Sequence, residues 1–397
     1  MWYLSRVPRL VDRFHTLPEN RLASLSDKKR ALVARGVDVI DLGAGDADLP
    51  PPPAAVEALA RAARDPAMSR YGFGFGLPAF REAIARWMHA RFGVSLDPLS
   101  EIVPLIGSKD GIAHLAFAYA GPGDVTIVPD PGYIAYQGGT LLADGVPYRY
   151  PLQASAGHLV ELGEVPQDVL RRTRILYLNY PNNPTAAIAP LEYLTRLVNE
   201  CRERDILLVY DNAYSEIAFD GYRPPSIFEI DGAREVAIEF HSLSKTYNMT
   251  GWRCGWAVAR PEIAAALSRV KTLVDTGNFL AVQAAGVAAL ESSSEFVPRN
   301  VAVFRERRDA TVAAFRAAGF ACQPPLATMY LWLSVPQGLT SAEFAERARE
   351  DAGVIVVPGY AFGDAGEGFF RISFVASPER IAEAAARIGR MVVELSS

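Results

Sequence analysis

Lysine is scarce in this chain. It occurs only at positions 28, 29, 109, 245 and 271, so chemistry that needs a primary amine has five candidates. One has unusual company. In Ser242-Leu-Ser-Lys-Thr-Tyr-Asn-Met-Thr-Gly-Trp-Arg253, Lys245 follows a strand-like run at Val236–Phe240. It therefore sits near the carboxyl end of a strand, where open α/β sheets bind ligands. With Ser242 and Ser244 behind it and Arg253 eight positions on, this lysine can form an imine while its neighbours hold a phosphate. A solvated surface lysine is the plain alternative. Surface loops seldom carry so many specific polar groups beside two tryptophans, here Trp252 and Trp256.

Three further stretches put polar groups at element ends. Leu207-Leu-Val-Tyr-Asp-Asn-Ala-Tyr214 closes a strand with Asp211 and places Tyr214 three residues on. An acid there can keep a pyridine nitrogen protonated, which strengthens the ring as an electron sink, although such an aspartate often only caps a helix. In Leu178-Asn-Tyr-Pro-Asn-Asn-Pro-Thr185, Asn183 precedes a proline. It is expected in extended conformation with its amide free for a phenolic oxygen; an isolated Asn-Pro is otherwise a turn signal. Ile106-Gly-Ser-Lys-Asp-Gly-Ile-Ala-His114 opens a helix with glycine and Ser108. Free N–H groups and the helix dipole make such an end an anion site, a weak signal when it stands alone.

Positioning these groups requires a regular frame. Short β-branched runs at Val125–Val128, Ile175–Leu178, Ile206–Tyr210, Val236–Phe240 and Trp256–Val258 read as strands, with helical stretches such as Pro190–Arg204 between several of them. The alternation predicts an α/β fold with a large, mostly parallel sheet covered on both faces. The C-terminal third differs. A long helical region around Val297–Ala318 leads to strands at Met329–Leu333, Val354–Val357 and Phe370–Phe374, then a helix from Pro378, which together make an α+β unit. The prolines of Leu49-Pro-Pro-Pro-Pro53 impose an extended hinge. The expected division is a large domain over 50–285 and a small one built from 1–49 and 286–397.

Bulk properties exclude several classes. A net charge of −5 and a pI near 5.7 argue against nucleic acid or an anionic membrane as main partner. Charges at Arg6, Arg9, Asp12 and Arg13 interrupt the first apolar stretch, and no later run suits a bilayer span, so a cytoplasmic protein is expected. Cys201, Cys254 and Cys322 form no disulfide framework, consistent with a reducing compartment. Histidines 15, 89, 114, 158 and 241 are scattered and no H-E-x-x-H occurs, so no metal site is expected. Gly43–Gly45 and Gly72–Gly76 lack the full dinucleotide-loop spacing.

Taken together, the four stretches resemble the pyridoxal 5′-phosphate (PLP) dependent aminotransferases of fold type I, class I/II. The resemblance runs from about residue 30 to the C-terminus. It is closest to the LL-diaminopimelate aminotransferase branch, through GSKDGIAHL, PDPGY, YDNAYSEIAFDGYRPPS and HSLSKTYNMTGWR. It implies that Lys245 forms the Schiff base and that Asp211 pairs with the pyridine nitrogen, while Asn183 and Tyr214 bind the ring oxygen. Tyr133, in Pro129-Asp-Pro-Gly-Tyr, would stack on the ring. Ser108, Lys109, Ser242, Ser244 and Arg253 would surround the phosphate, joined by Tyr71 from the other subunit of a homodimer with shared active sites. Arg371, in Phe-Arg-Ile-Ser, would clamp the substrate α-carboxylate, with a backbone contact from Gly45. The implied reaction moves an amino group between an L-amino acid and a 2-oxo acid.

Four places depart from the family pattern, all on the expected substrate side. Asn-Pro-Thr is followed by Ala186 where glycine is usual, and Leu17–Leu22 lacks the family's aromatic segment. Glycine and phenylalanine alternate over Tyr71–Gly76, and Tyr360 follows Pro358-Gly. Elimination or replacement at Cβ or Cγ on the same scaffold is therefore the alternative activity. A PLP-binding regulator would need an added basic winged-helix segment, for which no room is expected.

Overall fold

The structure, a computed structural model, describes residues 8–18, 23–73 and 75–395. Residues 19–22 of the Leu17–Leu22 segment and Gly74 of the Tyr71–Gly76 segment lie outside the described residues.

Seven strands form the main sheet, in the spatial order Ile102–Leu105, Gly255–Ala259, Ala237–Ser242, Leu207–Asp211, Thr173–Asn179, Val125–Asp130 and Val146–Pro151. Only Gly255–Ala259 runs against its neighbours; the other pairs are parallel. Side chains alternate across a strand, and here both faces are apolar. Leu176, Leu178, Leu208 and Tyr210 pack with the helix Leu191–Arg204. Ile175, Tyr177, Leu207 and Val209 pack into a second core with the helices Ser108–Tyr119 and Pro261–Val274. Burial on both sides explains the unbroken hydrophobic runs. Both outermost strands escaped the sequence reading because each carries proline, Pro104 in one and Pro147 and Pro151 in the other. Sheet edges tolerate the missing N–H.

A smaller sheet joins Val357–Pro358, Phe369–Ser373 and Tyr330–Ser334 in antiparallel order, while Ile40–Asp41 pairs in parallel with Val354–Ile355. The strand expected over Val354–Val357 is thus two short strands in different sheets, separated at Val356. The strand expected from Val236 starts at Ala237, because Ala233–Val236 is a helical turn. The proline run also needs correcting: Pro53 opens the helix Pro53–Ala62. Proline suits that first position, whose N–H has no helical partner in any case. Ile40, Leu42, Phe304, Tyr330, Phe370 and Ile388 share one core, which also takes in Tyr214, Ile217 and Phe219 from the loop after Asp211. The small sheet is thereby seated over the carboxyl ends of the large one. Among the described residues, no helix is long and apolar enough to cross a membrane.

Candidate active site

Parallel strands bring their carboxyl ends to one edge, and three adjacent strands end there in Asn179, Asp211 and Ser242. These residues help line a cavity of about 730 Å³. Gly45, Ser108, Lys109, Tyr133, Asn183, Tyr214, Ser244, Lys245 and Arg253 line it too, and Tyr330 and Arg371 reach it from the small sheet.

Asp211 is buried. Tyr136 donates to its Oδ2 at 2.8 Å, whereas Oδ1 is enclosed without a partner. Burial pushes this carboxyl up to about 6, against the pull of Tyr136, the Ala213 backbone and His241. Asn179 fixes the strand end by donating to the Asp211 carbonyl at 2.7 Å, and its Oδ1 accepts the Asn183 N–H at 2.8 Å. Asn183 sits at the start of a turn, immediately before Pro184. The Asn182 carboxamide holds that turn by accepting from Thr185 N–H and Oγ1. The Asn183 Oδ1 then accepts from Arg371 Nη1 at 2.8 Å.

Lys245 rides on the short helix Leu243–Thr246, capped by Ser242 Oγ, which accepts the Ser244 N–H at 3.1 Å. Its Nζ donates to the carbonyl of Gly45. Arg253 donates through Nη1 to the Thr250 carbonyl at 2.8 Å, and its guanidinium lies against Gly107. At Gly107 φ is +73°, a conformation that favours glycine, and a Cβ there would press on the Arg253 guanidinium. Gly107 immediately precedes the twelve-residue helix Ser108–Tyr119. Guanidinium, helix N-terminus and serine hydroxyls thus converge on one corner, which complements an anion with several oxygens.

Arg371 is buried against the opposite wall. Nη2 donates to Gly43 O at 3.0 Å, Nε has no partner, and burial lowers its pKa. Its Cζ lies 4.2 Å from the Tyr330 ring centroid and 4.8 Å from that of Phe362. The hydroxyls of Tyr214 and Tyr330 are 3.1 Å apart, and burial holds the Tyr214 phenol well above its ordinary pKa. Half-buried Tyr133 stands edge-on to Tyr136, with centroids 5.7 Å apart, and Lys109 Nζ is 6.0 Å from the Tyr133 ring. Tyr71 is not in this cavity: it lies with Phe73 in a separate surface hollow beside Phe279.

The sequence reading missed Tyr136, Asn179, Tyr330 and Phe362. Asn179 stood inside a quoted string, and Tyr136 follows Tyr133 by one helical turn. Tyr330 and Phe362 carried no signal, because each reads as an ordinary apolar residue of its element.

Residues 37–388 match the family described as aminotransferase class I and II. An LL-diaminopimelate aminotransferase from Moorella thermoacetica is 48% identical over 380 residues, covering 96% of this chain and 97% of that protein. The chain belongs to the aminotransferase class I and II family. It is a PLP-dependent aminotransferase of the fold-type-I class, and its mixed, mostly parallel sheet is that fold. An LL-diaminopimelate aminotransferase from Aquifex aeolicus is 47% identical over 377 residues, covering 95% of this aminotransferase and 97% of that one. Among solved structures, substrate-bound BacF from Bacillus subtilis matches with a TM-score of 0.93 at 33% identity, covering 97% and 98% of the two chains. A probable N-succinyldiaminopimelate aminotransferase from Thermus thermophilus matches with a TM-score of 0.87 at 39% identity, covering 92% and 98%. The relatives support transamination, not the elimination or replacement alternative.

Proposed function

We propose that this aminotransferase uses PLP held covalently by Lys245 to move the amino group of an L-amino acid of the diaminopimelate kind to a 2-oxo acid. The observation that carries the reading is Asp211 Oδ1, a buried carboxylate oxygen with no partner in a cavity that also contains an amine and an anion corner. A protonated pyridine nitrogen supplies the donor and the charge that this oxygen lacks. The residues present therefore fit the cofactor. Asp211 would take the ring nitrogen, Asn183 and Tyr214 the ring oxygen, and Tyr133 the ring face. Ser108, Lys109, Ser242, Ser244 and Arg253 would take the phosphate.

When bound, PLP delocalises the electrons left behind as the substrate Cα loses its proton. Every other task falls to the chain. Lys245, displaced by the incoming amine, takes the proton from Cα and later returns one. Its Nζ reaches Gly45, next to Arg371, which supports this role on the substrate side. Arg371 orients the α-carboxylate and so decides which Cα bond stands perpendicular to the ring. Asp211, fixed by Tyr136 and Asn179, retains the nitrogen proton.

Exposed Tyr71, Phe73 and Phe75, at 70%, 70% and 62%, support a homodimer in which Tyr71 reaches the other subunit's phosphate. A cytoplasmic location and the division into 50–285 against 1–49 with 286–397 belong to the same proposal. The diaminopimelate class rests on full-length relatives at 46–49% identity. The test is a stoichiometric half-reaction. LL-diaminopimelate should aminate the bound cofactor, read as loss of its visible absorption, and 2-oxoglutarate should restore it. Repeated turnover without an oxo acid would overturn transamination. Failure with LL-diaminopimelate but success with another amino acid would overturn only the substrate.

A further inference from the structure

We propose that Tyr330 is a positioning residue serving both halves of the site, its hydroxyl fixing Tyr214 and its ring fixing Arg371. The inference deepens the proposed function and rests on it. Tyr330 opens the strand Tyr330–Ser334, whose antiparallel neighbour pairs Ser373 with Tyr330 and Arg371 with Trp332. Tyr330 and Arg371 are therefore diagonal cross-strand neighbours on one face, within reach of an aromatic and a long side chain.

The guanidinium has a Tyr330 ring 4.2 Å away and a Phe362 ring 4.8 Å away. Aromatic rings attract a desolvated guanidinium. Its hydrogen bonds run instead to Asn183 and Gly43. A carboxylate is recognised through such N–H groups, so holding the plane of the guanidinium sets the approach of the substrate. The other end of Tyr330 lies 3.1 Å from the Tyr214 hydroxyl, and both residues are buried. A Cβ at Gly45 would stand 3.7 Å from Tyr330 Oη and 3.8 Å from Arg371 Nη2, so hydroxyl and clamp meet over the carbonyl that Lys245 reaches. Of the two hydroxyls, one donates and one accepts. With Tyr330 donating, the proton of Tyr214 is free for the ring oxygen of the cofactor, whose negative form it stabilises.

The test uses the holoenzyme and two variants, Tyr330→Phe and Tyr330→Leu, with two readouts. One is the pH midpoint of the cofactor's visible absorption change; the other is KM against kcat for the amino donor. Tyr330→Phe should move the midpoint upward by about half a pH unit or more and leave KM within about twofold. Tyr330→Leu should shift the midpoint similarly and raise KM about tenfold, with a smaller effect on kcat. A merely structural tyrosine would lower the melting temperature without moving the midpoint. Tyr330→Phe with the wild-type midpoint, or Tyr330→Leu with the wild-type KM, overturns the inference. If Tyr330→Leu does not fold, Tyr330→Phe decides the hydroxyl half and Tyr330→Met, which also lacks the ring, decides the half that concerns Arg371. A wild-type chain that takes up no PLP overturns the proposed function instead, so the two failures are distinguishable.

Discussion

Asp211 is an acid kept where ionisation is unfavourable until a positive partner arrives. Its carboxyl sits at about 6 in the folded chain against an ordinary 3.8. A raised carboxyl pKa penalises the folded state as pH rises through it: the penalty is absent below the ordinary value and complete above the raised one. Two pH units correspond to roughly 3 kcal/mol at most. The cofactor-free wild type should therefore lose stability relative to Asp211→Asn between about pH 4 and pH 7, as urea unfolding of both proteins at pH 4 and 8 would show. A pH-independent difference would refute this. Arg371→Ala should lower kcat/KM for the amino donor by about 3 kcal/mol, more than a hundredfold, because a clamp anchored by Asn183, Gly43 and two aromatic rings is lost. Arg371→Lys should recover only part, since a point charge cannot reproduce the planar fork. Unchanged kinetics would mean that another group holds the carboxylate.

Among the elements, the turn Asn182–Ala186 shows how a departure from the family pattern can spare the chemistry. Ala186 has φ +59° and donates its N–H to Asn182 O at 2.9 Å, so it occupies a left-handed position suited to glycine. The side chain is not part of the cavity lining. Ala186→Gly should raise stability by about 0.5–1 kcal/mol and leave kcat and KM unchanged. A change in substrate preference would show that the turn shapes the pocket. Tyr360 differs in kind, because it lies on the turn Gly359–Phe362 beside Ala361 and Phe362, which do line the cavity.

For the whole molecule, one chain supplies the cavity but leaves Tyr71 outside it. The exposed rings of Tyr71, Phe73 and Phe75 are what the proposed dimer would cover. If two copies share sites through them, mixing inactive Lys245→Ala with a weakened Tyr71→Ala variant should regenerate activity. Random reassociation leaves about one site in four with both residues intact. Sedimentation should show a dimer. A fully active monomer, or a mixture with no recovery, would remove the shared site from the mechanism.

The chemistry-bearing residues were legible in the chain because each sits at an element end in a run of specific polar neighbours: Lys245 after its serines, Asp211 closing a strand, Ser108 opening a helix. The sheet was legible too, since strands buried on both faces must be continuously apolar. Local restriction was a poorer guide. The extended run expected of the prolines yielded at Pro53 to helix initiation. Tertiary structure alone joined Tyr136 to Asp211 across 75 positions, Tyr214 to Tyr330 across 116 and Asn183 to Arg371 across 188. Such pairs leave no trace in local pattern, because a buried tyrosine facing a carboxylate and one facing only leucines have the same place in the alternation. What distinguishes them is the group opposite, and that is decided by how the small sheet settles on the large one.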